Sequence, residues 1–342
     1  MTKIKYFFII VDIEKDAREV LSMQNTDELI LKAIKYEGPE EIPVSISILP
    51  AAMKEHGEDM KKIIRKYPDL FGQNWMDYDY AKSLPLSYHK GGYTDAWGCV
   101  WSNEHEGMES YVTGHPLPHR EDILTLKAPD ADIGLPHGFM YLRLLDLRGF
   151  EEAMLDFAEE CDELQVLIDK VCSYNVRQME IICKKDPSPL VSIGDDQGMQ
   201  HGLAIGAAKW RKYLKPAFKK IYDVSHRYGK YVYMHTDGDI IEIMPDLAET
   251  GVNMINPQYR ANGIDRLVKT CKGKIPVMLD LDRQLFPFGT PKDMRDHVRE
   301  TVQKMYLPEG GLGITIEIGV DVPLKNADAL FDEINKMRCY RR

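Results

Sequence analysis

The chain has no Cys-x-x-Cys pair. Its six cysteines, Cys99, Cys161, Cys172, Cys183, Cys271 and Cys339, are scattered through 342 residues. That spacing excludes a thiolate zinc cluster and offers no disulfide framework, so reduced thiols in a cytoplasmic protein are expected. Basic charge is also scarce: 44 Lys and Arg stand against 54 Asp and Glu, a net charge of -10. A main partnership with nucleic acid, which needs clustered cations, is therefore not expected. Long hydrophobic runs are missing too. The N-terminal run Tyr6-Phe-Phe-Ile-Ile-Val11 is too short to span a bilayer, and Asp12 and Glu14 follow it where a secretory signal would carry small residues. No internal repeat or low-complexity segment stands out.

Hydrophobic residues at 44% and charged residues at 29% are ordinary for a soluble globular protein, so pattern must carry the argument. Asn25-Thr-Asp-Glu28 reads as a helix start, with Leu29, Ile30, Ala33 and Ile34 on one face and Gly38-Pro39 as its stop. Ile42 to Leu49 reads as a first strand. Residues 70–135, rich in aromatics, Gly and Pro, read as an irregular insertion with a hairpin near Glu109 to Thr113. Beyond Gly149 the pattern turns regular: a helix over Phe150 to Lys184, the strand Leu190 to Gly194, and a helix near Ala208 to Tyr228. Strands then follow at Tyr231 to His235, Val252 to Asn256, Ile275 to Asp280 and Gly313 to Glu317, each after helical periodicity. Alternating strands and helices imply parallel βαβ units. Their number and the chain length favour a closed (β/α)8 TIM barrel, with the insertion over its mouth, over an open sheet.

Several strands end abruptly in polar groups. Asp195, Asp196, Gln197, His235, Asp237, Asn256, Gln258, Asp280, Asp282 and Glu317 all fall at or just past strand C-termini, the face where barrels place their chemistry. Each alone could serve as a helix cap or a loop contact. Together they converge carboxylates on one mouth, and such a crowd requires a cation or a bound ligand. Asp280 and Asp282 flank Leu281, so one of them points inward while Arg283 neutralises the other. Trp97 and Trp101 flank Gly98 and either stack on an aromatic substrate or pack the insertion. The Met residues at 199, 234, 254 and 278 read as core filler.

A series of motifs runs through the chain: Asp95-Ala-Trp-Gly98 with Trp101, Leu147-Arg-Gly-Phe-Glu151, Gly194-Asp-Asp-Gln-Gly198 and Gly229 through Gly238. Gly251 through Pro257, Gly289-Thr-Pro291 and the segment from Gly310 to Asn326 extend it. In their order and spacing the chain resembles the uroporphyrinogen decarboxylase superfamily, which includes the haem-pathway decarboxylase and corrinoid-linked methyltransferases. The resemblance implies a (β/α)8 barrel with its cleft at the C-terminal mouth. The decarboxylases carry an arginine-rich segment after the first strand; here Ile48 to His56 has none. They also carry a histidine near the last strand, where this chain reads Glu317-Ile-Gly-Val-Asp321. Both departures weigh against a porphyrinogen substrate, because bidentate Arg is how buried carboxylates are gripped.

The methyltransferase branch is more similar. Its members hold zinc with a His-x-Cys pair on a mid-barrel strand and a Cys on the last strand. The resemblance places His235, Asp237 and Glu317 at those positions, a nitrogen and oxygen donor set suited to zinc. Harder ligands leave such a metal more Lewis-acidic, which suits polarising an ether oxygen. The expectation is methyl transfer from a small methylated compound, such as an O-methyl ether, to the cobalt of a separate corrinoid protein. Asp195 and Asp196 would orient substrate or deliver a proton. Trp97, Gln197, Asn256, Gln258 and Asp280 would contact substrate. A metal-free lyase or a binding role remain the alternatives, and members of the family often form homodimers.

Overall fold

A computed structural model describes residues 27–71, 75, 79 and 84–340. The run Tyr6 to Val11 and the cap expected at Asn25 lie outside them. Helix α1 covers residues 27–35. Strand β1 (Val44–Ile48) and helix α2 (Pro50–Ile64) follow, and then a three-stranded antiparallel sheet of β2 (Gly91–Thr94), β3 (Val100–Asn103) and β4 (Tyr111–Gly114). The rest alternates: α3 (Tyr141–Arg148), α4 (Phe150–Glu159), α5 (Asp162–Lys185), β5 (Leu190–Gly194), α6 (Lys215–Arg227), β6 (Tyr231–Thr236), α7 (Met244–Thr250) and β7 (Met254–Pro257). It closes with α8 (Ile264–Cys271), β8 (Val277–Asp280), α9 (Pro291–Met305), β9 (Leu312–Ile318) and α10 (Leu324–Met337).

Six parallel strands form one curled sheet in the order β1-β9-β8-β7-β6-β5. Beyond β5 the chain at 137–138 lies against the strand end, where the Gly138 N–H donates to the Gly194 carbonyl. The single helix expected over Phe150 to Lys184 is broken into α4 and α5. Glu160 takes a left-handed conformation there (φ 55°), and its carboxylate is held by Lys212 and by the Tyr213 hydroxyl. The helix expected from Ala208 is interrupted by a π-turn at Trp210–Leu214. Thr290 and Asp293 form a reciprocal capping box at the start of α9, with Pro291 in the first turn, which explains the Gly289-Thr-Pro291 motif.

Period-2 alternation sorts each strand's side chains between two cores. Val232, Met234, Ile255, Val277, Leu279, Ile314, Ile316 and Ile318 face the helix layer and are buried in the main cluster. The opposite faces line the barrel interior. Its lower part is filled by Leu190, Tyr231, Tyr233, Met254 and Met278, against which α1 packs Ile30, Ala33 and Ile34. The upper interior positions are His235, Asn256, Asp280, Thr315 and Glu317, brought level by the register His235↔Asn256 and Asp280↔Thr315. Among the four methionines read as core filler, Met199 is 48% exposed, because it lies beyond the end of β5.

Two mouth loops meet backbone to backbone. The Gly198 N–H donates to the Asp237 carbonyl and the Asp239 N–H to that of Met199. A Cβ on Gly238 (φ +84°) would lie 2.2 Å from the Gly198 carbonyl carbon, and one on Gly198 would lie 2.6 Å from that of Gly238. Glycine at both places is thus a packing requirement. Gly198→Ala is expected to cost about 2–4 kcal/mol of stability. Chemical denaturation would check this, and a midpoint matching the native protein would disprove the close approach.

Candidate functional site

The mouth is organised around one arginine. Arg283 follows β8, and its Nε lies 3.0 Å from Asp280 Oδ2. Its Nη2 donates to Asp237 Oδ1 at 2.8 Å and its Nη1 to Glu317 Oε1 at 2.5 Å. Three carboxylates from three strand ends thus share a guanidinium, which answers the need for a cation from within the chain. The expected division of labour between Asp280 and Asp282 is corrected here. Arg283 neutralises the inward residue, Asp280, while Asp282 is paired with Arg260 at 2.7 Å and accepts nothing from Arg283 in the described geometry.

Beside this hub lies a second cluster. His235 Nε2 is 3.1 Å from Asp237 Oδ1 and 3.9 Å from Asp196 Oδ1. The Asp237 N–H donates to Asp196 Oδ1 at 2.8 Å, and His137 Nε2 lies 3.1 Å from Asp196 Oδ2. Asn256 fixes the His235 ring. Its Nδ2 donates to the Met278 carbonyl, so its Oδ1 must accept from His235 Nδ1, at 2.8 Å. Reversing that amide would set two carbonyl oxygens against each other. Nδ1 therefore carries the proton, and Nε2 is the atom presented to the two aspartates. Burial opposes charge on His235, but the Asp237 hydrogen bond and the charges of Asp237, Asp196 and Asp280 outweigh it and raise the imidazole to about 9. Burial pushes Asp280 up to about 7 despite Arg283 and His235. Asp196 is held below its ordinary value: burial works against the carboxylate, and His137, His235 and the Asp237 N–H overcome it.

The remaining residues expected here divide by strand parity. Asp196 follows Ser192 and Gly194 toward the interior, whereas Asp195 and Gln197 turn into the protein. Asp195 has no exposure. Its Oδ2 accepts from the Met140 and Tyr141 N–H groups at 2.8 and 2.6 Å, and its Oδ1 from Leu142 at 3.0 Å. It caps α3 from across the fold, and burial raises its carboxyl to about 7 against those three donors. Gln197 is equally occupied: Nε2 donates to the Asp195 carbonyl and Oε1 accepts from Trp210, which the π-turn aims at it. Asp195 and Gln197 thus present no free oxygen to a substrate and act by holding the loop that carries Asp196. Trp97 is 6% exposed and packs edge-on against Tyr174 of α5 at 5.0 Å, so it joins the insertion to the main core and presents no open face to a substrate. Gln258 accepts from the Gly238 N–H and supports the loop after β6. Glu317, expected as a metal ligand, is turned toward Arg283.

Two site residues escape the sequence reading. His137 lies in an aperiodic stretch between Pro136 and Gly138, and its ring fits because Gly194 has no side chain; a Cβ there would lie 2.6 Å from His137 Nδ1. Glu109, solvent-exposed at the edge of the hairpin but facing the mouth's acids, has its carboxyl raised by desolvation and by the nearby charges of Asp196, Glu317 and Asp237, with His137 opposing. Among the described residues, ligand atoms of Asp196, His235 and Asp237 lie within 4.8 Å of one another, the grouping suited to a metal ion. Metal–ligand bonds of about 2.0–2.1 Å in a tetrahedron place donors about 3.3 Å apart, close to the His235–Asp237 separation of 3.1 Å.

A parallel barrel with ionisable groups gathered at the C-terminal ends of its strands defines an enzyme of the α/β-barrel class. The model of the uroporphyrinogen decarboxylase (URO-D) family matches residues 144–337, more than half of the chain, and the protein belongs to that family. A methyltransferase from Methanosarcina mazei shares the fold, with a TM-score of 0.62 at 16% identity over 91% of this chain and 98% of that one. Xanthomonas albilineans dihydropteroate synthase overlaps with a TM-score of 0.30 at 13% identity over 44% of this chain and 54% of that one. No curated protein sequence matches. No helix among the described residues is long and apolar enough to cross a membrane.

The raised His235 value has a sign that can be tested on metal-free protein. Charge on His235 adds stability that is fully present below about pH 6.5 and is lost as pH rises through about 9. Chelator-treated native protein should lose on the order of 1–3 kcal/mol across that window relative to His235→Gln. Parallel denaturation curves for the two proteins from pH 6.5 to 9.5 would contradict the arrangement.

Proposed function

We propose that the protein transfers a methyl group from a small methylated compound, an O-methyl ether or similar, to a corrinoid carried by a separate protein. The observation that carries this reading is the His235–Asp237 pair, presented with a defined Nε2 at the mouth of a URO-D family barrel. A bound zinc ion would polarise the methyl-bearing heteroatom and make it a better leaving group. The residues present fit such an ion: His235 and Asp237 approach at metal-ligand spacing, Asn256 holds the ring, and the side chains keep a path to solvent, with His235 21% exposed.

The protein's own groups do the rest. Arg283 keeps Asp280 and Glu317 compensated, so the mouth stays open despite its carboxylates. Tyr233, Met254 and Met278 give the interior below His235 an apolar floor suited to a methyl-bearing group. Asp196, which retains its charge, adds a second carboxylate beside His235 and Asp237.

The alternative, lyase chemistry without metal, draws on Arg283, since a protein cation already offsets the acids. That arginine is engaged by three carboxylates, however, and is not free to grip an acidic substrate. The reading predicts about one zinc per chain in purified protein, lost in His235→Ala, with methylation of cob(I)alamin by methyl ethers falling at least about 100-fold in that variant. Plasma mass spectrometry and the cobalamin absorption spectrum measure both. Methyl transfer unaffected by His235→Ala would refute it.

A further inference from the structure

We propose that the metal site implied by this reading takes its protein donors from His235 Nε2, Asp237 and Asp196, with Glu317 excluded and with Asn256 and His137 as positioning residues behind it. Two strand ends supply the donors. Asp196 and Asp237 leave β5 and β6 side by side, and the Asp237 N–H to Asp196 Oδ1 bond of 2.8 Å ties the Asp196 carboxylate to the backbone that carries Asp237. Asp196 Oδ1 lies 3.9 Å from His235 Nε2, inside the 4.8 Å grouping of ligand atoms that could hold one ion. Its other oxygen is anchored by His137 at 3.1 Å, so Oδ1, which accepts the Asp237 N–H with one lone pair, is the oxygen nearer His235 with a second to offer.

Charge partition removes Glu317. Two cations share the mouth, Arg283 and the ion. Asp280 and Glu317 serve the guanidinium at 3.0 and 2.5 Å, and Asp196 and Asp237 serve the ion, which gives each cation two carboxylates. Recruiting Glu317 would strip Arg283 of its shortest partner and set an undercompensated guanidinium beside a divalent ion. Asp237 borders both sets, since its Oδ1 also accepts from Arg283 at 2.8 Å, so it is the residue through which the two cations sense each other.

Behind the donors, Asn256 presets the ring. Because its Nδ2 is committed to the Met278 carbonyl, its Oδ1 keeps the proton on His235 Nδ1 and leaves Nε2 to the metal. Outer partners of this kind typically account for about 10–100-fold in metal affinity. The donor set, one imidazole and two carboxylates, suits zinc or another borderline divalent ion with one position open to the mouth.

The test uses the full-length protein, stripped with chelator and reloaded with zinc or cobalt(II). Affinity is read by competition with a coloured chelator, and coordination by the cobalt visible spectrum. Asp196→Asn is expected to weaken zinc binding at least about 100-fold and Glu317→Gln to change it less than about threefold. Asn256→Leu should weaken it about 10–100-fold, while Asn256→Asp, which still accepts from Nδ1, should retain it with an unchanged cobalt spectrum. Thermal unfolding establishes that each variant is folded, and Asp196→Ser replaces Asp196→Asn if the latter is not. Loss of metal in Glu317→Gln with retention in Asp196→Asn would overturn the proposal, as would failure of the native protein to bind zinc. Methyl transfer by a protein that binds no metal would sink this site and leave the methyltransferase reading standing. Tight zinc binding through Asp196 with no methyl transfer to cobalamin would do the reverse.

Discussion

A guanidinium shared by three carboxylates governs the mouth of this barrel. Asp237, Asp280 and Glu317 arrive on β6, β8 and β9, and without Arg283 their mutual repulsion in a half-buried site would favour either protonation or spreading of the strand ends. With it, the three strands are tied across the interior at the level where backbone pairing stops. The position of His235 follows, since the Asp237 oxygen beside its Nε2 is the one that Arg283 also holds. One ion hub thereby sets the geometry of the neighbouring imidazole cluster.

A second constraint is steric. Gly198 and Gly238 let the loops after β5 and β6 run in backbone contact, which brings Asp196 beside Asp237. Asp195, capping α3 from across the fold, and Gln197, held by Trp210, anchor the same loop from behind. The motif Gly194-Asp-Asp-Gln-Gly198 thus divides its work: alternate residues build the support and a single carboxylate reaches the interior. The motif at Leu147 to Glu151 is of the supporting kind. Arg148 is buried against Asp156 at 2.8 Å and ties α3 to α4.

Much of this was legible in the chain. Parallel strands buried on both faces betray themselves by apolar runs that stop at polar residues, so β5 to β9 and the ends carrying Asp196, His235, Asp237 and Asp280 could be read directly. Parity could also have separated Asp196 from Asp195, because only even-numbered positions of β5 share the face paired with His235. The partner of Glu317 was not legible. It depends on how far a long side chain from the loop after β8 reaches across the barrel, a distance no local pattern encodes. His137 was hidden for another reason: its segment has no periodicity and is placed by a single backbone bond to Gly194 and by the missing side chain there.

Helix α1 lies across the base of the barrel, its Ile30, Ala33 and Ile34 wedged against Leu190, Met254 and Met278. This closes the lower end of the interior with hydrocarbon, while His235, Asn256, Asp280 and Glu317 occupy the end from which the strand-end loops project. The interior is therefore greasy at one end and ionic at the other, and a molecule entering from the loop side meets charge before it meets hydrocarbon.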